Sequence, residues 1–189
     1  MNTNELITNF LAGDISAFNV LVRQHQDELF NFLLKYTGDR ETAGDIMQQT
    51  FVLVYKKLKK LNEKEKFRSW LYTIAVNQCR NHFRKKREVS FTEVSSKQDI
   101  EFNPGEEHNF SANDQSSNLI IKKALQSIPK EQRVVVIMKQ YHNLKFTEIA
   151  SILGEPVNTV KARLYYGLTA LKKVITSWGI TKEDLGYEM

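Results

Sequence analysis

A periodic segment between residues 67 and 87 carries a polar face suited to nucleic acid. The face is formed by Thr73, Asn77, Arg80 and Arg84, which follow one another at intervals of four, three and four residues. Arginine binds phosphate, an amide edge can read a base, and aromatic rings such as Phe67 and Tyr72 can stack on unpaired bases. The alternative is that the rings only close a hydrophobic core. We expect the core for Trp70 and nucleic acid for the two arginines.

The charge distribution favours a polyanionic partner. Residues 56–87 contain twelve Lys or Arg and only two acidic residues, an excess that attracts a polyanion but also suits a solvated helix face. Residues 1–87 carry a net charge of +6, residues 88–118 a net charge of −6 and residues 119–189 a net charge of +5. The acidic stretch includes Asn103-Pro104-Gly105 and has no helical periodicity. We therefore predict two basic domains joined by a flexible acidic linker.

A second basic region, from Leu144 to Val174, has the pattern of a helix-turn-helix. A short apolar face ends at Gly154, which can adopt a left-handed turn, and a longer periodic segment follows Pro156. The apolar positions are Ile149, Ala150 and Leu153, then Val157, Val160, Leu164, Leu168 and Leu171. The second helix offers Asn158, Thr159, Lys161, Arg163 and Tyr166 on its exposed face. Such a helix reads bases in a major groove; the alternative is a structural hairpin with a solvated face.

The helix predicted after the capping residue Asp39 has a mixed outer face. Its core stripe is formed by Ala43, Ile46, Met47, Val54, Leu58 and Leu61, and opposite that stripe lie Asp45, Gln48, Val52, Tyr55 and Lys59. The outer face has Val52 at its centre beside Tyr55 and the uncharged Gln48, a composition typical of a surface that docks protein. The alternative is an ordinary surface with two stray apolar residues.

The periodicity elsewhere predicts an all-α fold of two small helical domains. One helix runs over residues 15–36 after a cap at Asp14, and another over about Lys130–Tyr141 after Pro129. The second of these is predicted to pack through Val134, Ile137, Met138 and Tyr141. The chain of 189 residues contains only eight Gly and three Pro, which argues against a turn-rich sandwich.

Several classes of protein are disfavoured by what the sequence lacks. The single Cys79 cannot form an internal disulfide or a cysteine-rich zinc site, and the histidines are scattered at positions 25, 82, 108 and 142. There is no glycine-rich phosphate loop, no His-Glu-x-x-His pair and no acidic pair placed for two metals. No apolar run approaches the roughly 20 residues of a membrane span, and the first ten residues do not resemble a signal peptide. We expect a cytoplasmic protein with no catalytic residue, cofactor or metal.

Four short motifs occur in the order found in extracytoplasmic-function (ECF) sigma factors of the sigma-70 family, and the chain resembles that family over most of residues 10–175. They are DIMQQTF at 45–51, FRSWLYTIAVN at 67–77, EIA at 148–150 and TVKARL at 159–164. The resemblance implies sigma region 2 in residues 1–87, the linker in 88–118, sigma region 4 in 119–178 and a tail of unassigned role in 179–189. It implies a non-catalytic subunit that directs core RNA polymerase to promoters.

The resemblance also implies a role for each surface. Residues matching the segment that docks on the polymerase clamp helices are Asp45, Gln48, Gln49, Val52 and Tyr55. Residues matching the segments that open and read the −10 element are Lys66, Phe67, Arg68, Asn77, Arg80 and Arg84. The −35 element would be read by Asn158, Thr159, Lys161, Arg163 and Tyr166, with region 4 near the polymerase flap. Many relatives are held inactive by an anti-sigma factor, so that partner is expected too; a homo-oligomer is not required.

The linker is long enough for this arrangement, but some positions depart from the family pattern. Its 31 residues can extend to about 100 Å, whereas two helical turns of DNA separate the promoter elements by about 70 Å. Lys145 stands where many members have a capping Ser or Thr. Asn158 replaces a common Gly, Ala162 replaces a common Ser, and residues 165–168 replace a stretch richer in Arg. We therefore expect fewer phosphate contacts at the −35 element.

Two other functions are compatible with parts of the pattern. A conventional helix-turn-helix repressor or activator would bind a palindromic duplex tightly without polymerase, whereas a sigma factor binds specifically only with core polymerase. The two unlike basic domains and the acidic tether favour the sigma factor. An enzyme acting on nucleic acid lacks the motifs named above.

Overall fold

The computed structural model describes residues 1–93 and 117–180, and their side chains over 1–85 and 119–180. Within these ranges the secondary structure is helical, with eight α-helices and two 3₁₀ turns, at Leu58–Lys60 and Lys64–Lys66. The helices are α1 Thr3–Leu11, α2 Ile15–Thr37, α3 Arg40–Lys57, α4 Phe67–Glu93, α5 Ser117–Gln126, α6 Lys130–Gln140, α7 Phe146–Leu153 and α8 Val157–Ser177. The all-α prediction is confirmed. Most of the predicted linker, and the tail after residue 180, lie outside the described residues.

The N-terminal unit, α1 to α4, begins its helices where the sequence indicates. The Asp14 carboxylate accepts from the Ser16 backbone N–H at 2.9 Å, and the Asp39 carboxylate accepts from the Thr42 N–H at 2.7 Å. A bond from the Ser16 side chain lowers the pKa of Asp14, and the bond from the Thr42 backbone lowers that of Asp39. Both carboxylates therefore act as helix caps in their charged form.

The first helix, α1, has no counterpart in the predictions. Asn2 accepts from the Glu5 N–H at 2.9 Å, and Glu5 accepts from the Asn2 N–H at 3.0 Å, which is a reciprocal capping box. Its Leu6 and Ile7 are fully buried. The Asn-x-x-Glu spacing was the available signal for this helix start.

The core of the N-terminal unit follows the predicted stripe of α3 and extends it. Ala43, Ile46, Val54 and Leu58 are buried, and Met47 and Leu61 pack against the core. Thr50 and Phe51 are buried in addition. The Thr50 hydroxyl donates to the Ile46 carbonyl at 2.7 Å, so its burial leaves no unpaired donor.

The C-terminal unit, α5 to α8, is built around the crossing of α6 and α8. A Cβ on Gly167 would lie 2.8 Å from Cγ2 of Val136, so only glycine permits this approach. Gly167 therefore occupies the core position predicted for Leu168, which is 40% exposed. Tyr141 is also wrongly predicted as core: it follows the last turn of α6 and is 41% exposed, and Lys35 of α2 lies over its ring.

The two units pack directly on each other. Helices α5, α6 and α7 of the C-terminal unit contact α2 and α4 of the N-terminal unit. In the part of the chain that the structure describes, no helix has the length and apolarity required to cross a bilayer.

Candidate nucleic-acid and protein interfaces

Helices α7 and α8 form the predicted helix-turn-helix. Gly154 ends α7 in the left-handed conformation, with φ of 69°, and the Glu155 N–H donates to the Ala150 carbonyl at 3.0 Å. Lys145 makes no side-chain cap, as expected from its chemistry, but the Glu148 carboxylate accepts from the Lys145 backbone N–H at 2.7 Å. The start of α7 is thus held by Glu148 although a capping hydroxyl is missing.

The outer face of α8 exposes three of its five predicted residues. Asn158, Lys161 and Tyr166 are exposed, and Thr159 is half-buried. Arg163 is also half-buried, and its guanidinium donates to the Glu155 carboxylate at 3.1 Å. Most of the predicted residues are therefore available to DNA, whereas Arg163 is held in an ion pair beside the turn.

Sequence reasoning missed Tyr165 on this face. At about 100° per residue the outermost stripe of α8 consists of Asn158, Ala162, Tyr165 and Thr169. Tyr165 is 69% exposed, and its ring meets that of Tyr166 edge-on at 5.6 Å. Ala162 follows Asn158 after four residues, and Tyr165 follows Ala162 after three. This helical spacing could have placed Tyr165 on the same face as Asn158.

The polar face of α4 is present as predicted. Asn77, Arg80 and Arg84 are exposed, and an Arg80 Nη donates to the Asn77 side-chain oxygen at 3.5 Å. The second Nη of Arg80 donates to the Leu153 carbonyl, at the end of α7, at 3.2 Å. The shared face is confirmed, and its central arginine contacts the other unit.

The residues preceding this face are placed less uniformly. Lys66 is exposed and pairs with Glu63 at 2.8 Å. Phe67 is 1% exposed and packs near His25 and Trp70, so it is a core residue and its ring does not reach a base in this conformation. Trp70 is partly buried against the core, in agreement with its prediction. Arg68 is half-buried.

Arg68 belongs to a polar cluster that joins the two units, formed by Glu28, Arg68, Tyr72 and His142. The Arg68 guanidinium donates to the Glu28 carboxylate and, at 3.0 Å, to the His142 carbonyl. His142 Nδ1 lies 2.8 Å from the Tyr72 hydroxyl and 3.3 Å from Glu28 Oε1. Because a carboxylate can only accept, we assign the proton to Nδ1. Nothing in the sequence indicates this cluster, whose members lie on α2, α4 and the turn after α6.

The surroundings of this cluster shift the pKa values of Glu28 and Tyr72. The hydrogen bond from His142, together with Arg68, lowers the pKa of the Glu28 carboxyl to about 2. Burial raises the pKa of the Tyr72 hydroxyl, so it stays neutral. Glu28 is therefore a carboxylate at any physiological pH, fixed between a cation and an imidazole.

Glu28→Gln is expected to lower the free energy of unfolding near neutral pH and to have less effect in acid. The folded-state pKa lies below the ordinary value of 4.5, so the charged carboxylate stabilises the fold above about pH 4.5 and loses that contribution as the pH falls towards 2. The side chain is 38% exposed, and solvent screening reduces the expected effect to about 1 kcal/mol. Urea denaturation between pH 6 and pH 3 measures it.

Glu63→Gln is the matched control, because its carboxylate pairs only at the surface. It should change the free energy of unfolding by less than about 0.5 kcal/mol throughout this range. A Glu28→Gln effect that stayed constant from pH 6 to pH 3 would contradict the assigned role of the Glu28 charge.

The outer face of α3 is exposed, as predicted. Asp45, Gln48 and Gln49 are exposed, as are Val52 at 47% and Tyr55 at 45%. Tyr55 stands on an aromatic base, with Phe10 of α1 at 5.2 Å and Phe18 of α2 at 5.1 Å. Two large apolar side chains therefore remain in solvent on a face that packs on α1 and α2.

The thiol of Cys79 is shielded from solvent in this fold. Cys79 is fully buried, and burial raises the pKa of its thiol to about 12, which agrees with a packing role. The described residues bring no three metal-ligating side chains together.

Comparison with known sequences assigns both units. Residues 21–89 match the family described as Sigma-70 region 2, and residues 118–171 match Sigma-70, region 4. The chain is 31% identical over 169 residues to the ECF RNA polymerase sigma factor SigW of Bacillus subtilis, with 85% of this chain and 90% of SigW covered. It is 24% identical over 180 residues to the RNA polymerase sigma-H factor of Pseudomonas aeruginosa, covering 90% and 92%.

Two solved structures share the fold. The sigma factor RpoE of Bartonella quintana, in complex with the anti-sigma factor NepR, matches with a TM-score of 0.67 and 21% identity, over 86% of this chain and 98% of that one. CnrH, in complex with the cytosolic domain of CnrY, matches with a TM-score of 0.66 and 19% identity, over 93% and 97%. Sequence and fold agree with the resemblance seen in the four motifs: the chain belongs to the sigma-70 family of RNA polymerase sigma factors, in its extracytoplasmic-function group.

Proposed function

We propose that this sigma factor docks on the clamp helices of core RNA polymerase through the outer face of α3, and places α4 on the −10 element and α8 on the −35 element. The observation that carries the proposal is the exposed pair Val52 and Tyr55 at the centre of the outer face of α3. A partner that covers them gains the hydrophobic free energy of two large side chains. The protein is proposed to act in the cytoplasm without catalytic activity, as a specificity subunit of the polymerase.

The polar face of α4 supports binding to the −10 element. Asn77 and Arg80 lie side by side in contact, so one base edge can meet an amide and a guanidinium together. Opening the duplex costs a few kcal/mol for each base that leaves the stack. Contacts made only to unpaired bases offset that cost, and they stabilise the open complex rather than the first encounter.

The exposed side chains of α8 support recognition of the −35 element mainly by uncharged groups. Asn158 at the start of the helix suits adenine, and the methyl of Ala162 with the ring of Tyr165 suits the methyl group of thymine. Arg163 is engaged by Glu155, so Lys161 is the principal exposed cation on the first two turns. We therefore propose that the −35 element is read chiefly through A·T pairs.

We also propose that an anti-sigma factor controls this chain. The structurally similar RpoE is bound by NepR, an anti-sigma factor. The solvent-exposed Val52 and Tyr55 would need covering while the chain is free of polymerase.

The test is transcription and binding with and without purified core polymerase. The chain with core should give run-off transcripts from a subset of a promoter library, while the chain alone should bind the same duplexes at least 100-fold more weakly in a gel shift. Tight binding of the free chain to an inverted repeat, with no effect of core, would instead identify a conventional helix-turn-helix repressor.

A further inference from the structure

Three lysines lie at or next to the ring of Phe146, the first residue of α7. The Nζ of Lys139 lies 4.9 Å from the ring centroid, and the Nζ of Lys161 lies 5.8 Å from it. Lys145 is exposed and directly precedes Phe146, so its Cα lies about 3.8 Å from that of the ring residue. Lysines of α6, of α8 and of the turn before α7 therefore meet at one ring. We call Lys139, Lys145 and Lys161 the lysine cluster.

The positive charge of the lysine cluster is not cancelled within the part of the chain that the structure describes. No carboxylate there lies within ion-pair distance of any of the three ammonium groups. Glu148, in the first turn of α7, is half-buried and accepts from the Lys145 backbone N–H at 2.7 Å. Lys139 donates one N–H to the Leu144 carbonyl at 3.2 Å, and an ammonium has two more. The cluster can therefore donate to an anion.

The lysine cluster is continuous with the outer face of α8. Lys161 follows Asn158 by three residues on that face, and both are exposed. When the second helix of a helix-turn-helix enters the major groove, the first helix crosses the DNA backbone. Phe146 begins that first helix, so DNA that receives α8 in its groove passes its phosphates beside the cluster.

We propose that the lysine cluster binds the phosphates that flank the −35 element, and that Lys145 is a phosphate-binding residue present in place of a helix cap. The proposal rests on the assignment of α8 to the −35 element in the proposed function. Residues 165–168 are uncharged, so the cluster supplies at one end of the helix-turn-helix the phosphate contacts that α8 lacks further along. Phosphate contacts position the protein on the duplex, and base contacts specify the sequence. This division suits an α8 face that reads bases mainly through uncharged groups.

Lys145→Ser is expected to change stability and DNA binding in opposite directions. Serine supplies a hydroxyl that can cap α7, so the melting temperature of the free chain should rise by about 2 °C. The substitution also removes one phosphate contact. The chain with core polymerase should therefore bind a promoter duplex selected in the run-off experiment roughly three- to tenfold more weakly, and the slope of log affinity against log salt should become shallower by about 0.9. Anisotropy of the labelled duplex at several salt concentrations measures both quantities.

Two further variants show whether the effect belongs to the charge at this position. Lys145→Arg keeps the charge and should preserve both the affinity and the slope. Lys173→Ser removes another exposed lysine of the same unit, twelve residues and about 18 Å along α8 from Lys161. It should change the affinity by less than about twofold and the slope by less than about 0.3. Because a phosphate contact carries no sequence information, the loss caused by Lys145→Ser should be the same on every selected promoter.

The proposal is overturned by a Lys145→Ser variant that melts at a higher temperature but binds with wild-type affinity and slope. It is also overturned by a loss confined to particular promoter sequences, because that pattern indicates a base contact, and by a Lys145→Arg variant as weak as Lys145→Ser.

Lys161→Gln distinguishes failure of this inference from failure of the proposed function, since Lys161 is itself a proposed −35 residue. A shallower slope for Lys161→Gln but not for Lys145→Ser overturns the phosphate-binding role of Lys145 and leaves the −35 assignment intact. If the wild-type chain with core polymerase shows no preference for any −35 sequence, the proposed function fails instead. A shallower slope for Lys145→Ser then still supports a phosphate contact at this position.

Discussion

Val52→Asp should weaken binding of the chain to core RNA polymerase by at least 30-fold. Val52 lies at the centre of the outer face of α3 and is 47% exposed, so the substitution should be tolerated by the free fold. In the proposed complex the carboxylate would be buried among apolar groups without a partner, at a cost of several kcal/mol. Anisotropy of a labelled chain titrated with core measures the dissociation constant.

Val20→Asp is the matched control. Val20 is another exposed valine, at 40%, but it lies about 200° around α2 from Phe18, which packs under Tyr55. It should change the affinity for core by less than threefold. Equal losses from the two aspartates would show that added negative charge, rather than the α3 face, determines the affinity, and would remove the main support for this docking site.

Local chemistry made most of the helices predictable. Asp14 and Asp39 cap helices because a carboxylate two or three residues before a free backbone N–H can accept from it, and that requires no knowledge of the rest of the fold. The same holds for Gly154, whose left-handed φ ends α7. The exposed faces of α3 and α4 also followed from the 3.6-residue period alone.

The errors arose where packing between helices decides the outcome. Leu168 has the correct period for a core residue, yet the close crossing of α6 selects its neighbour Gly167, which no single-helix pattern could reveal. Phe67 opens a basic helix and looked suited to stacking, but its ring fills the core beside His25. A periodic pattern identifies which residues share a face and does not show what that face meets.

The contacts between the units were beyond sequence reasoning altogether. Glu28 and His142 are separated by 114 residues, and neither stands in a motif. Each looks ordinary alone: a charged residue on a helix and an isolated histidine. Their contact results from the packing of the two units on each other, which brings a carboxylate, a guanidinium and an imidazole within hydrogen-bond distance.

Arg80→Ala should reduce formation of the open promoter complex by 10- to 100-fold while changing the initial binding of the polymerase to duplex promoter by less than threefold. The expected size of this reduction follows from the loss of one contact to an unpaired base or its phosphate, which contributes about 1–3 kcal/mol. Permanganate reactivity of unpaired thymines measures opening, and a gel shift with heparin omitted measures initial binding.

Lys85→Ala is the control that distinguishes a specific role of Arg80 from a general loss of positive charge. It removes one cation from the same helix, one position beyond the predicted polar face, and should lower both steps slightly and equally. An Arg80→Ala variant that opens promoters normally would contradict a role for Arg80 at the −10 element, and one that impairs both steps equally would assign Arg80 to non-specific attraction.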